Sequence, residues 1–282
     1  MRALIVLFYI FLIQLAAADD SVVYANIVDP ELSMLGLSPE RLMDYKTQHE
    51  KIISYLEKKN KSEWEGKYSE GMLTGSTLFL TEKNGFSYKS WGCFGTYGIA
   101  YGTTEFLSNK VNLLNKTGEV FPKEIFFIKW GTRHYLIPKE NMIDFANAVN
   151  SGMEPCERGA CSFWLKDKDS EKKIRGLPPI PEEYQGYLLK NPIKTKIIEI
   201  KDSQTNYKDP KFPVRKTIVV LDVGEQQGVK IGMSFGSIAP SNIFETVKVS
   251  EVSSTFSIGE IVEYSPDVEK KPSVDWIFST KY

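Results

Sequence analysis

The strongest constraint on the fold comes from residues 193–282, where short β-like segments follow one another with no helical pattern between them. Strands at such short spacing are typical of a small barrel or sandwich. We therefore predict a small all-β barrel domain over 193–282. Its predicted strands are Ile193–Lys201, Lys216–Val223, Met233–Ala239, Glu245–Val252, Gly259–Tyr264 and a last strand through Trp276–Phe278.

Part of this region carries a sequence signature. In Thr217–Met233 a strand leads into a glycine turn and then into Gly-Val-x-x-Gly-Met, and Val247–Gly259 has a V-x-V-x-x-V pattern followed by S-x-G. The pattern resembles the small extracytoplasmic β-barrel modules of MreC-like cell-shape proteins and of flagellar and curli-associated envelope proteins. The resemblance implies a module that scaffolds or binds, and it implies no catalytic residue.

Two helices are predicted in the preceding part of the chain. Ser38 and Pro39 form a typical helix start, and apolar residues then recur at spacings of three and four. A shorter helix is predicted from Lys139 to Asn150, and Gly152 provides its stop. Both helices are amphipathic, so we expect each to pack on a sheet.

β-hairpins are predicted around these helices. Thr77–Thr81 alternates and leads to an Asn84-Gly85 turn, and Gly131-Thr132 joins Ile125–Trp130 to Arg133–Ile137. The closely spaced glycines of 92–102 indicate bulges or close backbone approach in a curved sheet. The expected fold class is α+β, with N-terminal β-hairpins in a meander and two packing helices, followed by the small all-β barrel.

The amino terminus is typical of a secretory signal peptide. Arg2 supplies a positive charge, an apolar run extends to Leu15, and Ala16–Ala18 offer small residues for cleavage. The run is shorter than the roughly 20 residues of a membrane-spanning helix, with an uncleaved anchor as the competing interpretation. We predict a signal peptide over 1–18, an α+β domain over 19–176, a Pro-rich connector over 177–192 and the barrel domain over 193–282. The protein is thus expected to be exported, to the periplasm or outside the cell, with no transmembrane segment after cleavage.

The charge balance limits the possible partners. The chain has 35 Lys and Arg against 36 Asp and Glu, a formal net charge of −1. Nucleic-acid binding needs clustered positive charge, so this balance argues against it, and it equally disfavours electrostatic attraction to an anionic membrane.

The three cysteines admit one local disulfide. In an oxidising compartment Cys156 and Cys161 can close a small loop around Gly159, although sequence does not fix the pairing. Cys93 is left over, and we interpret it as a buried thiol that packs like a small apolar residue.

Several catalytic patterns fail on inspection. Gly232–Gly236 matches G-x-S-x-G, but no histidine and no helix follow it. His49 begins an H-E-x-x-H pattern that lacks its second histidine, and His134 has no partner at metal-ligand spacing. We therefore predict no metal, no cofactor and no catalytic residue from these patterns. A pair of carboxylates stays open, because glycan hydrolysis needs only two acids at a set separation.

One constellation is a candidate binding site. Aromatic residues recur on neighbouring predicted strands beside an arginine, and aromatic faces with a cation are common where sugars, peptides and proteins are bound. The alternative is that these rings form the core. The candidates are Trp91, Tyr97, Tyr101, Trp130, Arg133 and Tyr135.

These observations predict a non-catalytic bacterial envelope protein with a scaffolding or binding role, whose partner is an envelope protein or a glycan. The alternative hypothesis is a secreted hydrolase that cleaves glycan or peptide with carboxylates of the first domain. Exposed aromatic side chains would favour the binding protein, and a pocket with two acids would favour the hydrolase.

Overall fold

A computed structural model describes residues 32, 35–58, 61–71, 73–118, 121–152, 155, 163–209, 212–241, 243–264, 266 and 271–282. The predicted signal peptide over 1–18 lies outside these residues, and so does the predicted bridge between Cys156 and Cys161.

The described residues are mostly β, with few helices. The helices are α1 (Pro39–Leu56), α2 (Met142–Ser151, after a 3-10 turn at Lys139–Asn141) and α3 (Glu182–Gln185). The strands are β1 (Gly66–Gly71), β2 (Gly75–Thr81), β3 (Gly85–Gly92), β4 (Gly95–Phe106), β5 (Lys110–Asn115), β6 (Glu124–Trp130), β7 (Arg133–Pro138), β8 (Trp164–Lys166), β9 (Lys194–Asn206), β10 (Val214–Leu221), β11 (Ser234–Ala239), β12 (Thr246–Val252), β13 (Ser257–Tyr264) and β14 (Ile277–Ser279).

The strands form two closed barrels. In the first, β1 to β8 follow one another in chain order, and in the second the order is β10-β13-β12-β11-β14-β9. The predicted C-terminal barrel is confirmed, and the structure adds that barrel closure is not confined to the C-terminal part. The chain separates into two compact units, residues 1–123 and 124–282, and the stretch predicted as a connector (177–192) belongs to the second unit.

The predicted start of α1 and the predicted stop of α2 are confirmed, whereas α2 begins at Met142 and not at the predicted Lys139. The Ser38 side chain accepts a hydrogen bond from the Arg41 backbone N–H at 3.3 Å, and Pro39 begins α1, where the missing N–H costs nothing. Gly152 ends α2 with φ of 77°, a left-handed conformation that glycine adopts without a Cβ penalty. No helix among the described residues is long and apolar enough to cross a lipid bilayer.

All six strands predicted in 193–282 are present. In β10 the alternate residues Thr217, Val219 and Leu221 are buried, as the period of two in a strand requires. Gly228 and Gly232 have φ of 85° and 86°, which explains why the Gly-Val-x-x-Gly-Met turn uses glycine there. The interior of the second barrel is apolar, with buried residues that include Ile197, Val229, Met233, Phe235, Val247, Val249, Ile261 and Phe278.

Helix α2 is attached to the second barrel through the side-chain amide of Asn147. Its Nδ2 donates to the Gly232 carbonyl at 2.9 Å and to Ser234 Oγ at 3.2 Å. Its Oδ1 accepts the Ser234 backbone N–H at 3.1 Å. One side chain thereby satisfies backbone groups at the start of β11 that would otherwise lose their hydrogen bonds on burial.

Asn147→Ala is expected to lower the free energy of unfolding by about 1–3 kcal/mol, because it leaves the backbone groups of Gly232 and Ser234 without this partner. Asn206→Ala is the control, since Asn206 is exposed and accepts one hydrogen bond, from Lys208 N. The control should change stability by less than about 0.5 kcal/mol. Denaturant unfolding followed by circular dichroism measures both, and equal losses would contradict the anchoring role.

Candidate functional site

Trp130 and Tyr135 lie in the core of the second unit. Both are buried, and their rings pack against Phe145 of α2 with centroid separations of 6.3 and 5.4 Å. The Trp130 indole Nε1 donates to the Gly176 carbonyl at 3.0 Å, so the polar end of the ring is satisfied inside the protein. Neither ring offers a face to a ligand in this arrangement.

The Arg133 side chain is also hydrogen-bonded within the protein. Its Nε donates to the Lys172 carbonyl at 2.5 Å, and its Nη2 donates to the Ser170 carbonyl at 2.7 Å. The guanidinium is buried and holds the charged loop 166–173 against the β6–β7 hairpin. The backbone of this charged loop is thereby fixed, because the planar guanidinium can donate to two carbonyl groups at once.

Trp130→Ala is expected to lower the free energy of unfolding by about 3–5 kcal/mol, as large cavities in cores do. Trp91→Ala is the matched comparison, because Trp91 is only partly buried and ends a hairpin strand. Trp91→Ala should lower the free energy of unfolding by less than half as much as Trp130→Ala does. Thermal and denaturant unfolding of the two variants distinguish a core ring from a surface ring, and similar losses would contradict these placements.

His134 and Asp169 form a second contact of the same loop. Asp169 Oδ2 accepts from the His134 backbone N–H and lies 2.8 Å from His134 Nδ1, while Lys172 Nζ lies 2.5 Å from Oδ1. Burial opposes the charge on Asp169, but the hydrogen bonds from Lys172 and His134 outweigh it and lower the pKa of the carboxyl below its ordinary value. His134 therefore has a structural role.

A lowered native-state pKa stabilises the fold wherever the carboxyl is ionised in both states. For Asp169 this contribution is complete above the ordinary pKa of 3.8 and is lost as the pH falls from there through the native-state pKa. Asp169→Asn should therefore be less stable than wild type at pH 7, by on the order of 1 kcal/mol. The difference should shrink below pH 3.8.

Unfolding titrations with denaturant over a pH series measure this difference. Asp167→Asn serves as the control, because Asp167 is an exposed acid of the same loop. A difference between Asp169→Asn and wild type that stays constant with pH would exclude the proposed ionic contribution.

Tyr101 and His49 belong to the contact between α1 and the first sheet. Tyr101 is buried, meets Tyr45 edge to face at 6.4 Å and donates its hydroxyl to Asp44 at 3.2 Å. His49 Nδ1 lies 2.9 Å from Ser87 Oγ, and burial lowers the pKa of its imidazole, with nearby Lys89 adding a smaller effect in the same direction. His49 therefore packs between α1 and the sheet.

The remaining two candidates, Trp91 and Tyr97, lie where two neighbouring hairpins reverse direction. Gly71 pairs with Gly75 at the β1–β2 turn, and Gly92 pairs with Gly95 at the β3–β4 turn. The turns are adjacent, because Cys93 Sγ lies 3.9 Å from the Leu73 carbonyl oxygen. We call the side chains exposed here the tip surface, comprising Leu73, Trp91, Cys93, Phe94 and Tyr97.

The tip surface exposes large apolar groups. Leu73 is 80% exposed, Phe94 is 88% exposed and Tyr97 is 53% exposed. The prediction of a buried Cys93 thiol is wrong, because this cysteine forms the exposed β3–β4 turn together with Phe94. Leu73 and Phe94 are not among the residues predicted from the sequence, although apolar residues between closely spaced glycines are a usable signal of exposed turns.

No charge accompanies these apolar groups in the chain. Residues 71–81 and 90–104 contain no Asp, Glu, Lys, Arg or His. Glu70, which precedes the first turn, accepts a hydrogen bond from Ser76 Oγ at 2.8 Å, and its Oε2 is buried without a partner among the described residues. Burial raises the pKa of Glu70 more than this hydrogen bond lowers it, which favours the neutral carboxyl.

Three other buried acids have structural partners. Glu65 accepts from Ser62 N at 2.8 Å and Glu82 N at 2.9 Å, and Glu263 binds Arg215 through two contacts of 2.6 Å. Asp169 is the third. No group of three or more His, Cys, Asp or Glu is arranged to hold a metal within the described part of the chain. Ser234 of the G-x-S-x-G pattern begins strand β11, so no helix follows it.

Comparison of the chain with protein-family models, with curated proteins and with solved structures gives no match.

Proposed function

We propose that this protein is an exported, non-catalytic component of a bacterial envelope and that the tip surface is the face with which it binds its partner. The observation that carries the proposal is the juxtaposition of Leu73 and Phe94, both at least 80% exposed, on two adjacent turns. Soluble proteins rarely leave large apolar side chains together on the surface unless they contact something.

Two sequence features support the location. The charged, apolar and small-residue order of 1–18 is typical of an export signal. The patterns of 217–233 and 247–259 resemble extracytoplasmic barrel modules that scaffold or bind. The buried acids also favour a binding role over hydrolysis. Glu65, Asp169 and Glu263 are each engaged in hydrogen bonds or an ion pair within the fold.

A photo-crosslinking phenylalanine analogue placed at position 94 in the native host tests the proposal. We expect adducts with an envelope component, protein or lipid, in the exported protein whose first residue is Asp19. Phe244 is the matched control position, because it is 89% exposed and lies outside the tip surface. The same adducts from both positions, or none from position 94, would contradict a binding role for the tip surface.

A further inference from the structure

Leu73 and Phe94 are projecting side chains and do not line a groove. Each stands at the turn of its hairpin, and exposures of 80% and 88% leave little of either side chain in contact with the protein. The Cys93–Leu73 contact places the two turns side by side, so both side chains leave the protein at the same end of the β1–β4 meander. Projecting side chains of this kind are best buried by a medium that can surround them on all sides.

We propose that this medium is a lipid bilayer and that the tip surface inserts into its interfacial region. The inference rests on the proposed binding role of the tip surface and names the partner. Apolar side chains that reach past the headgroups gain the free energy of leaving water, and this gain does not depend on a complementary pocket.

The aromatic residues behind the turns have the order that interfacial insertion requires. Trp91 is partly buried and Tyr97 is less exposed than Phe94. The Tyr97 ring covers the backbone of Gly92, because a Cβ at Gly92 would lie 2.5 Å from a ring carbon. The Tyr97 ring therefore lies closer to the body of the protein than Phe94 does. Trp and Tyr rings are enriched at the headgroup level of membranes because they have both polar and apolar character.

The absence of charge in 71–81 and 90–104 means that insertion removes no ion from water. Binding by this route needs no anionic lipid, in keeping with the net charge of −1.

The size of the tip surface argues against a protein partner or a second copy of the chain. Stable protein interfaces use roughly 20–30 residues on each side. The tip surface has five residues. A bilayer requires no such area, since a few apolar side chains give reversible binding.

Flotation of the exported protein with phosphatidylcholine vesicles tests the proposal. Wild type should float with the vesicles, in about 1 M salt as well, where the Debye length is about 3 Å. Leu73→Ser with Phe94→Ser should lower the partition coefficient by about tenfold per side chain, near the lower end of the effect of burying a leucine or phenylalanine. The matched control is Leu114→Ser with Phe244→Ser, at positions 60% and 89% exposed, which should partition like wild type.

A fluorescent label on Cys93 gives a readout that does not depend on the folding of the double variant. With Cys156→Ser and Cys161→Ser, Cys93 is the only thiol of the chain. An environment-sensitive dye there should shift to shorter wavelengths when vesicles are added.

The outcomes separate the two proposals. Vesicle binding that the tip substitutions weaken, with a shifted dye, supports the bilayer. No vesicle binding with protein adducts from position 94 overturns the bilayer and keeps the binding role. Self-association lost with the tip substitutions points to a second copy, and no vesicle binding with no adducts overturns both proposals.

Discussion

Closure of each sheet on itself is the constraint on which the rest of this structure depends. A sheet edge leaves unpaired N–H and C=O groups, and a closed strand order supplies a neighbour on both sides. Closure with short antiparallel strands requires abrupt reversals, and several fall at glycines with positive φ, such as Gly71 and Gly85. The positions of the turns, and with them the exposed side chains, therefore follow from the backbone.

The buried polar groups are arranged so that little hydrogen-bonding capacity is left over. Asn147 hydrogen-bonds the backbone at the start of β11, and Arg133 donates to carbonyls of the loop 166–173. Asp169 accepts hydrogen bonds from His134 and Lys172. Aromatic side chains are also buried in the two cores, against α1 in the first unit and against α2 in the second. At the β1–β2 and β3–β4 turns, exposed apolar side chains of two adjacent turns lie side by side, which is why these turns carry the functional proposal.

The elements with local causes could be predicted from the sequence. The cap at Ser38, the stop at Gly152 and the alternation of β10 depend on neighbouring residues and were recovered with nearly correct boundaries. Closure of the first sheet was not predicted, because no local pattern encodes the pairing that closes a sheet.

The exposure of individual rings was equally inaccessible from sequence. Trp91 and Trp130 both end a strand beside a glycine, so their local signals are alike. They differ because α2 and the Gly176 carbonyl cover Trp130, whereas Trp91 ends its strand at a turn. The burial of the Asp169 carboxylate could not be predicted either, because the residue lies in a charged stretch of sequence. Its partners His134 and Lys172 come together only in the fold.

The strand orders of the two barrels have different consequences for the order in which their strands can pair. In the first barrel chain neighbours are also sheet neighbours, so its hairpins can form one after another as the polypeptide emerges. In the second, β14 must join β9 across roughly 80 residues, as in the Ile277–Lys196 pair, and it also pairs with β11. Ring formation there requires β14, so one edge of β9 and one edge of β11 stay unpaired until β14 has been synthesised.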